Sequence, residues 1–271
     1  MPRPLVPALF GLLLLSGCAP NLAHVASPAP VPTVAPSPTP VVVVVAHTPQ
    51  VVEHGPRTGD SVALTFDADL TVDMLARLTT GRARSFANTK VLDILEQRGV
   101  PATFFLTGMW VKQYPEVTTR LAANPDFELA NHTWSHGAFT ARCYGLTPVP
   151  RARMAEEVRR TFDIIEPFGG RQTRYFRFPG LCYDAVALTE LTPLDVTVIQ
   201  GDVISGDPGA WAWRPIVDAV LTTVQPGSIV ILHITEDNAT MTDEALPHIL
   251  DGLTAKGLHP VRLSQLLAPR T

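Results

Sequence analysis

The stretch "SVALTFDAD", residues 61–69, decides how the rest of the chain is read. Val62 to Phe66 form a short, mainly apolar run after Gly59, and the run ends in two carboxylates, Asp67 and Asp69. Such a run reads as a buried strand, and carboxylates at its close mark a functional C-terminal end. Residues two apart on an extended chain point to one side, so Asp67 and Asp69 can serve one site across Ala68.

Working outward, the strand signal recurs in "VPATFFLTG" (100–108), "FELANH" (127–132), "RYFRFPG" (174–180), "DVTVIQGDV" (195–203), "GSIVILHI" (227–234) and "HPVRLSQLL" (259–267). Helical patterns lie between them: "TKVLDILEQRG" (89–99), "YPEVTTRLAANP" (114–125), "PRARMAEEVRRTFDIIEPFG" (150–169), "RPIVDAVLTTV" (214–224) and "DEALPHILDGLTAKG" (243–257). Strands alternating with helices predict a parallel sheet with helices outside. Polar residues recur at the strand ends: Asp67 and Asp69, His132, Arg177, Asp202 and Asp207, and His233. An open doubly wound sheet gathers function at one switch point. A barrel brings every C-terminal strand end to one face, so polar groups on so many strands predict a closed or nearly closed β/α barrel.

His132 and His136 stand four apart in "FELANHTWSHG", residues 127–137. On one helical turn the two imidazoles would face the same way and could grip one ion. A catalytic zinc site uses about three protein ligands, so a carboxylate should complete the set.

The bulk properties narrow the partners. The chain has 271 residues, net charge −4 and no basic run, which argues against nucleic acid. Three cysteines exclude a disulfide-rich scaffold and a Cys-rich zinc module. The start, "MPRPLVPALFGLLLLSGCAP", has one positive residue, Arg3, and an apolar core too short to span a bilayer comfortably. Its "LLSGC" resembles the lipobox of bacterial lipoproteins, which implies lipidation at Cys18; an ordinary secretory signal is the alternative. Both readings take the chain out of the cytoplasm, to a lipid-anchored place in the bacterial cell envelope or to secretion. Residues 19–58 are rich in Pro, Ala, Val, Ser and Thr and read as a disordered, polyproline-like tether. The expected organisation is therefore a signal over 1–18, a tether over 19–58 and a catalytic domain over 59–271.

The ordered set "TFDAD", "NHTWSH", "RYFRFPG", "GDVISGD" and "IVILH" resembles the polysaccharide deacetylase family, the NodB-homology domain of carbohydrate esterase family four. The resemblance covers roughly residues 60–267. It implies a distorted (β/α) barrel that removes acetyl groups from glycans with one divalent metal, usually zinc, with cobalt or another ion as a substitute. By the same resemblance Asp67 is the general base, and Asp69, His132 and His136 hold the metal. Family members carry two adjacent aspartates where this chain has Asp67-Ala68-Asp69, so the base and ligand labels could be exchanged. Arg177 matches the arginine that orients the base, and Gly180 the position whose N–H helps hold the oxyanion. His233 matches the general acid, Asp207 the carboxylate that tunes it, and Leu232 the residue lining the acetyl pocket. The aromatic expected near Gly180 is absent, and Pro208 stands where a tryptophan is usual; Trp211 or Trp213 is the candidate replacement, with plain packing the alternative.

Cys143 and Cys182 follow two of these motifs, and both a disulfide between them and two free thiols are open. The implied activity is hydrolysis of N-acetyl groups on an acetylated polysaccharide, peptidoglycan or chitin-like, with metal-activated water as the attacking species and no obligate protein partner. An O-acetyl glycan esterase and an inactive glycan-binding lipoprotein are the rivals.

Overall fold

The structure, a computed structural model, describes residues 47–269. The signal segment, Cys18 and most of the tether lie outside the described residues. The strands are β1 (Val51–Val52), β2 (Ser61–Ala68), β3 (Ala102–Leu106), β4 (Phe127–Asn131), β5 (Gln172–Phe176), β6 (Thr197–Ile199), β7 (Val203–Ile204), β8 (Ile229–His233) and β9 (His259–Pro260). The helices are α1 (Val72–Thr79), α2 (Thr89–Arg98), α3 (Gly108–Gln113), α4 (Pro115–Ala123), α5 (Met154–Ile165), α6 (Ala185–Leu191), α7 (Trp213–Thr223), α8 (Thr242–Ala255) and α9 (Leu263–Leu266).

Every strand pair is parallel, in the order β1-β6-β5-β4-β3-β2-β8-β7, with β9 joining β2 separately. The sheet is a curled half-barrel with helices packed on it, the distorted (β/α) barrel expected. Alternation along β2 sorts its residues. Val62, Leu64, Phe66 and Ala68 join the large cluster beneath the helices, while Ala63 joins the small inner cluster of Phe105, Ala130, Ile199 and Ile229. Thr65 and Asp67 follow in phase with Ala63, on the inner face.

The rings of Phe66, Phe104 and Phe127 pack in succession, with centroids 5.5 and 5.0 Å apart. Each such ring, fully buried, contributes about 1.5–3 kcal/mol by leaving water. Trp110 on α3 is buried and donates its indole N–H to the Phe86 carbonyl at 2.8 Å, so the loop between α1 and α2 is fixed to the core.

Two expectations are corrected here. "HPVRLSQLL" is not one strand. After two residues of β9 it turns into α9, because Leu263 and Leu266, one helical turn apart, plug the inner cluster at the N-terminal mouth of the sheet. Glu128 accepts from the Ser264 N–H at 3.1 Å, and Thr103 accepts from the Leu263 N–H at 3.2 Å, so the start of this helix is satisfied by side chains of β3 and β4. The sheet also takes in residues before 59. Val51 and Val52 pair with Val198 and Ile199, and the Gly55 N–H donates to the Gly227 carbonyl at 2.8 Å.

Candidate active site

The carboxyl ends of β2, β4, β5 and β8 converge. Asp67 is paired in register with His233 on the neighbouring strand, and Arg177, just beyond β5, reaches across to it. The Arg177 guanidinium is fully buried. It donates to Asp67 Oδ1 at 2.5 Å, to Thr65 Oγ1 at 2.9 Å and to the Ile199 carbonyl at 3.3 Å, and it lies 4.0 Å from the centroid of the Phe105 ring. Burial by itself would raise the Asp67 carboxyl. The charges of Arg177, His132 and His233, with the Arg177 hydrogen bond, outweigh it and hold Asp67 below the usual carboxylate range. Asp67 is thereby kept ionised and aimed.

His132 follows the end of β4. Its Nδ1 lies 2.9 Å from the Arg177 carbonyl. A carbonyl only accepts, so Nδ1 carries the proton and Nε2 presents its lone pair inward. His136 does not lie on a helical turn, contrary to the spacing argument. Residues 132–137 form an irregular loop in which Thr133 and His136 adopt left-handed backbone, with φ of 70° and 55°. Asn131 Oδ1 accepts from the Thr133 N–H at 3.0 Å, Thr133 Oγ1 accepts from the His136 N–H at 3.0 Å, and buried Glu157 on α5 takes both the Ser135 N–H and hydroxyl at 2.9 Å. Trp134 packs between Gly108 and the Arg160 guanidinium, which lies 3.9 Å from its ring. This scaffold folds His136 back beside His132, with ring centroids 4.9 Å apart.

Asp69 Oδ1 lies 3.5 Å from His132 Nε2 and 3.4 Å from His136 Nε2. Ligands bound tetrahedrally at about 2.0–2.2 Å from a zinc-type ion stand roughly 3.3–3.6 Å apart, so the donor set fits one cation. Asp69 Oδ1 is also buried with no hydrogen-bond partner among the described residues, which a cation would satisfy. Burial pushes both imidazoles down to about 4 and the Asp69 carboxyl up. Neutral imidazoles at pH 7 are what a cation needs. Asp67 Oδ2 sits 3.6 Å from His132 Nε2, at the margin of this set, with its other oxygen taken by Arg177.

On the other side of Asp69, His233 Nε2 lies 3.8 Å from Asp69 Oδ2. His233 Nδ1 meets Asp207 Oδ1 at 2.8 Å, and the His233 backbone N–H donates to Asp207 Oδ2 at 2.7 Å. Ser205 and Thr242 hydroxyls each donate to Asp207 at 2.7 Å, fixing it completely buried. Burial alone would lower the His233 imidazole, but the charge and hydrogen bond of Asp207 raise it to about 10. A cation bound by the neighbouring ligands would draw that value back down.

Other expected residues fall elsewhere. Leu232 lies one residue out of phase with His233, so its side chain joins the core beneath the helices and not the inner face. Asp202 accepts from the Ile229 N–H at 2.7 Å and pairs with Arg57 at 2.8 Å, a structural clasp at the start of β8. Trp213 stacks on His248 with centroids 4.1 Å apart, while Trp211 is 97% exposed and lines a shallow surface pocket together with Pro208. Gly180 lies in the turn after Arg177 with φ 60°, beside a disulfide joining Cys143 to Cys182 across a Cα separation of 5.9 Å. Thr65, Glu157, Ser205 and Thr242 are supporting residues absent from the sequence reading. Of these, only Thr65, two before Asp67 on the same strand face, carried a signal that could have found it.

A buried aspartate–arginine pair, three donors spaced to accept a cation and a histidine–carboxylate pair stand together at the strand ends of a parallel half-barrel, the donor types that hydrolytic sites employ. The family model for polysaccharide deacetylase matches residues 54–199, and the chain belongs to that family. A chitooligosaccharide deacetylase from Sinorhizobium fredii is 36% identical over 148 residues, covering 53% of this chain and 64% of its own length. A bifunctional xylanase/deacetylase from Pseudobutyrivibrio xylanivorans is 29% identical over 71% of this chain, which spans only 30% of that relative. Among solved structures, the Bc1960 peptidoglycan N-acetylglucosamine deacetylase superposes with a TM-score of 0.67 at 26% identity, covering 80% of this chain and 92% of that one.

Proposed function

We propose that this chain is a metal-dependent hydrolase that removes N-acetyl groups from an envelope or extracellular polysaccharide, either peptidoglycan or a chitin-like glycan. The observation that carries the reading is the placement of Asp69, His132 and His136 as one ligand set between Asp67 on one side and His233 on the other. The names of the relatives, which act on chitooligosaccharides and on peptidoglycan, support the substrate class.

Asp69, His132 and His136 would hold the ion. When bound, such an ion lowers the pKa of a water ligand and polarises a carbonyl, and zinc suits two imidazoles and a carboxylate. Asp67, ionised and aimed by Arg177, takes the proton of the attacking water. The Gly180 N–H stands in the turn proposed to face the developing oxyanion. His233, charged beside Asp207, gives its proton to the departing amine. An O-acetyl ester would follow the same course with an easier leaving group. Lipidation at Cys18 and tethering to a membrane by residues 19–58 complete the proposal, resting on the "LLSGC" stretch.

The test is acetate release from a panel of N- and O-acetylated glycans, with and without a chelator, on metal-analysed protein. Loss of release on chelation and recovery with zinc or cobalt is the expected outcome. Release that survives complete metal removal refutes the metal-dependent reading, and binding without release from any substrate favours the inactive glycan binder.

A further inference from the structure

The loop carrying Cys143 and Tyr144 is built onto the site from two directions. Its base is closed by the Ala138 N–H to the Thr147 carbonyl at 2.9 Å and the Val149 N–H to the Ala138 carbonyl at 2.8 Å, directly after His136. Thr147 and Val149 line the same groove as His136. The disulfide ties the loop's far side to Cys182, five residues after Arg177. Between these anchors Tyr144 is 89% exposed and holds a left-handed backbone, φ 48°. That conformation costs a non-glycine residue about 1–2 kcal/mol.

Gly180 explains what the strained backbone achieves. A Cβ at Gly180 would stand 2.6 Å from Cys143 Sγ and 3.0 Å from the Tyr144 ring. The missing side chain at 180 thus leaves room for the tyrosine ring to lie over the turn that follows Arg177. One edge of the ring rests on that turn while most of its surface meets water. An exposed aromatic face beside this turn matches the flat C–H face of a pyranose, because its negative π-surface attracts polarised C–H groups.

We infer that Tyr144 is a substrate-contacting residue that stacks on a sugar next to the one being deacetylated, with Gly180 and the Cys143–Cys182 disulfide as its positioning support. The inference rests on the glycan reading above and assigns a chain-length preference to it. A ring that stacks on a neighbouring sugar contributes only when that sugar is present, so its effect grows with a longer chain.

The experiment compares N-acetylglucosamine with its β-1,4-linked pentamer as substrates for the full chain and for Tyr144→Ala and Tyr144→Phe, each checked for cooperative melting. The wild type should gain in kcat/KM from monomer to pentamer. Tyr144→Ala should lose about tenfold of that gain, and Tyr144→Phe should keep it. An alanine variant with an undiminished gain overturns the inference. If the wild type releases no acetate from either sugar, the deacetylase reading fails separately. Calorimetric binding of the pentamer then decides the inference alone: about tenfold weaker binding by Tyr144→Ala supports it, and equal or absent binding overturns it.

Discussion

Replacing Arg177 with methionine keeps most of the side chain's volume and removes its charge. In the native protein that charge is completely buried and answers Asp67 at 2.5 Å, Thr65 at 2.9 Å and the Ile199 carbonyl at 3.3 Å. Its removal leaves Asp67 buried without its largest counter-charge. Breaking one side of such a pair costs about 3–5 kcal/mol. A domain of this size loses about 2–4 °C of melting temperature per kcal/mol, so a fall of roughly 6–20 °C is expected. Urea unfolding and calorimetry of the chelator-treated protein read this directly.

The loss should be specific to the pair. In an Asp67→Asn background the same substitution should cost about 2 kcal/mol less, since no buried carboxylate is then stranded. A single-variant cost under about 1 kcal/mol, or a cycle with no coupling, would refute the claim that Arg177 holds an ionised Asp67.

Two further outcomes are expected. Metal-free protein should be most stable near pH 6.5. His132 and His136 titrate at about 4 when folded against about 6.5 unfolded, so stability rises with pH between those values, opposed in part by the raised Asp69 carboxyl. His233 titrates at about 10, so its contribution, full below about 6.5, is lost as pH climbs toward 10. Melting temperature against pH in a chelator checks this, and a monotonic rise from pH 4 to 10 would contradict it. Replacing both Cys143 and Cys182 with serine opens a loop spanning 39 residues of separation and should cost about 4 kcal/mol in denaturant, while metal uptake should match that of the unaltered protein because neither residue belongs to the proposed ligand set.

Much of this architecture was legible because the central strands β2, β3 and β4 are buried on both faces and read as short apolar runs. The long helix α5 buries one face, which the 3–4 spacing of Val158, Thr161 and Ile165 marks as period 3.6. Short elements carry too few residues to show a period: the two-residue β1 and β7 and the six-residue α3 gave no signal of their own. The α9 turn misled because two leucines three apart were read as strand, when what decides them is the distant Glu128 and Thr103. The histidine pair was found by spacing, but the spacing argued for a helix. The ligand geometry comes instead from left-handed backbone at Thr133 and His136, braced by Asn131 and Glu157, and no local pattern encodes that.

β2 is bonded to three other strands, and Asp67 and Asp69 stand at its end. The reaction is therefore mounted on the least yielding part of the molecule, whereas Tyr144 and Trp211 ride on loops that the sheet does not need. Such a division lets descendants of one ancestor exchange their outer loops and adopt new polymers while inheriting the same chemistry intact.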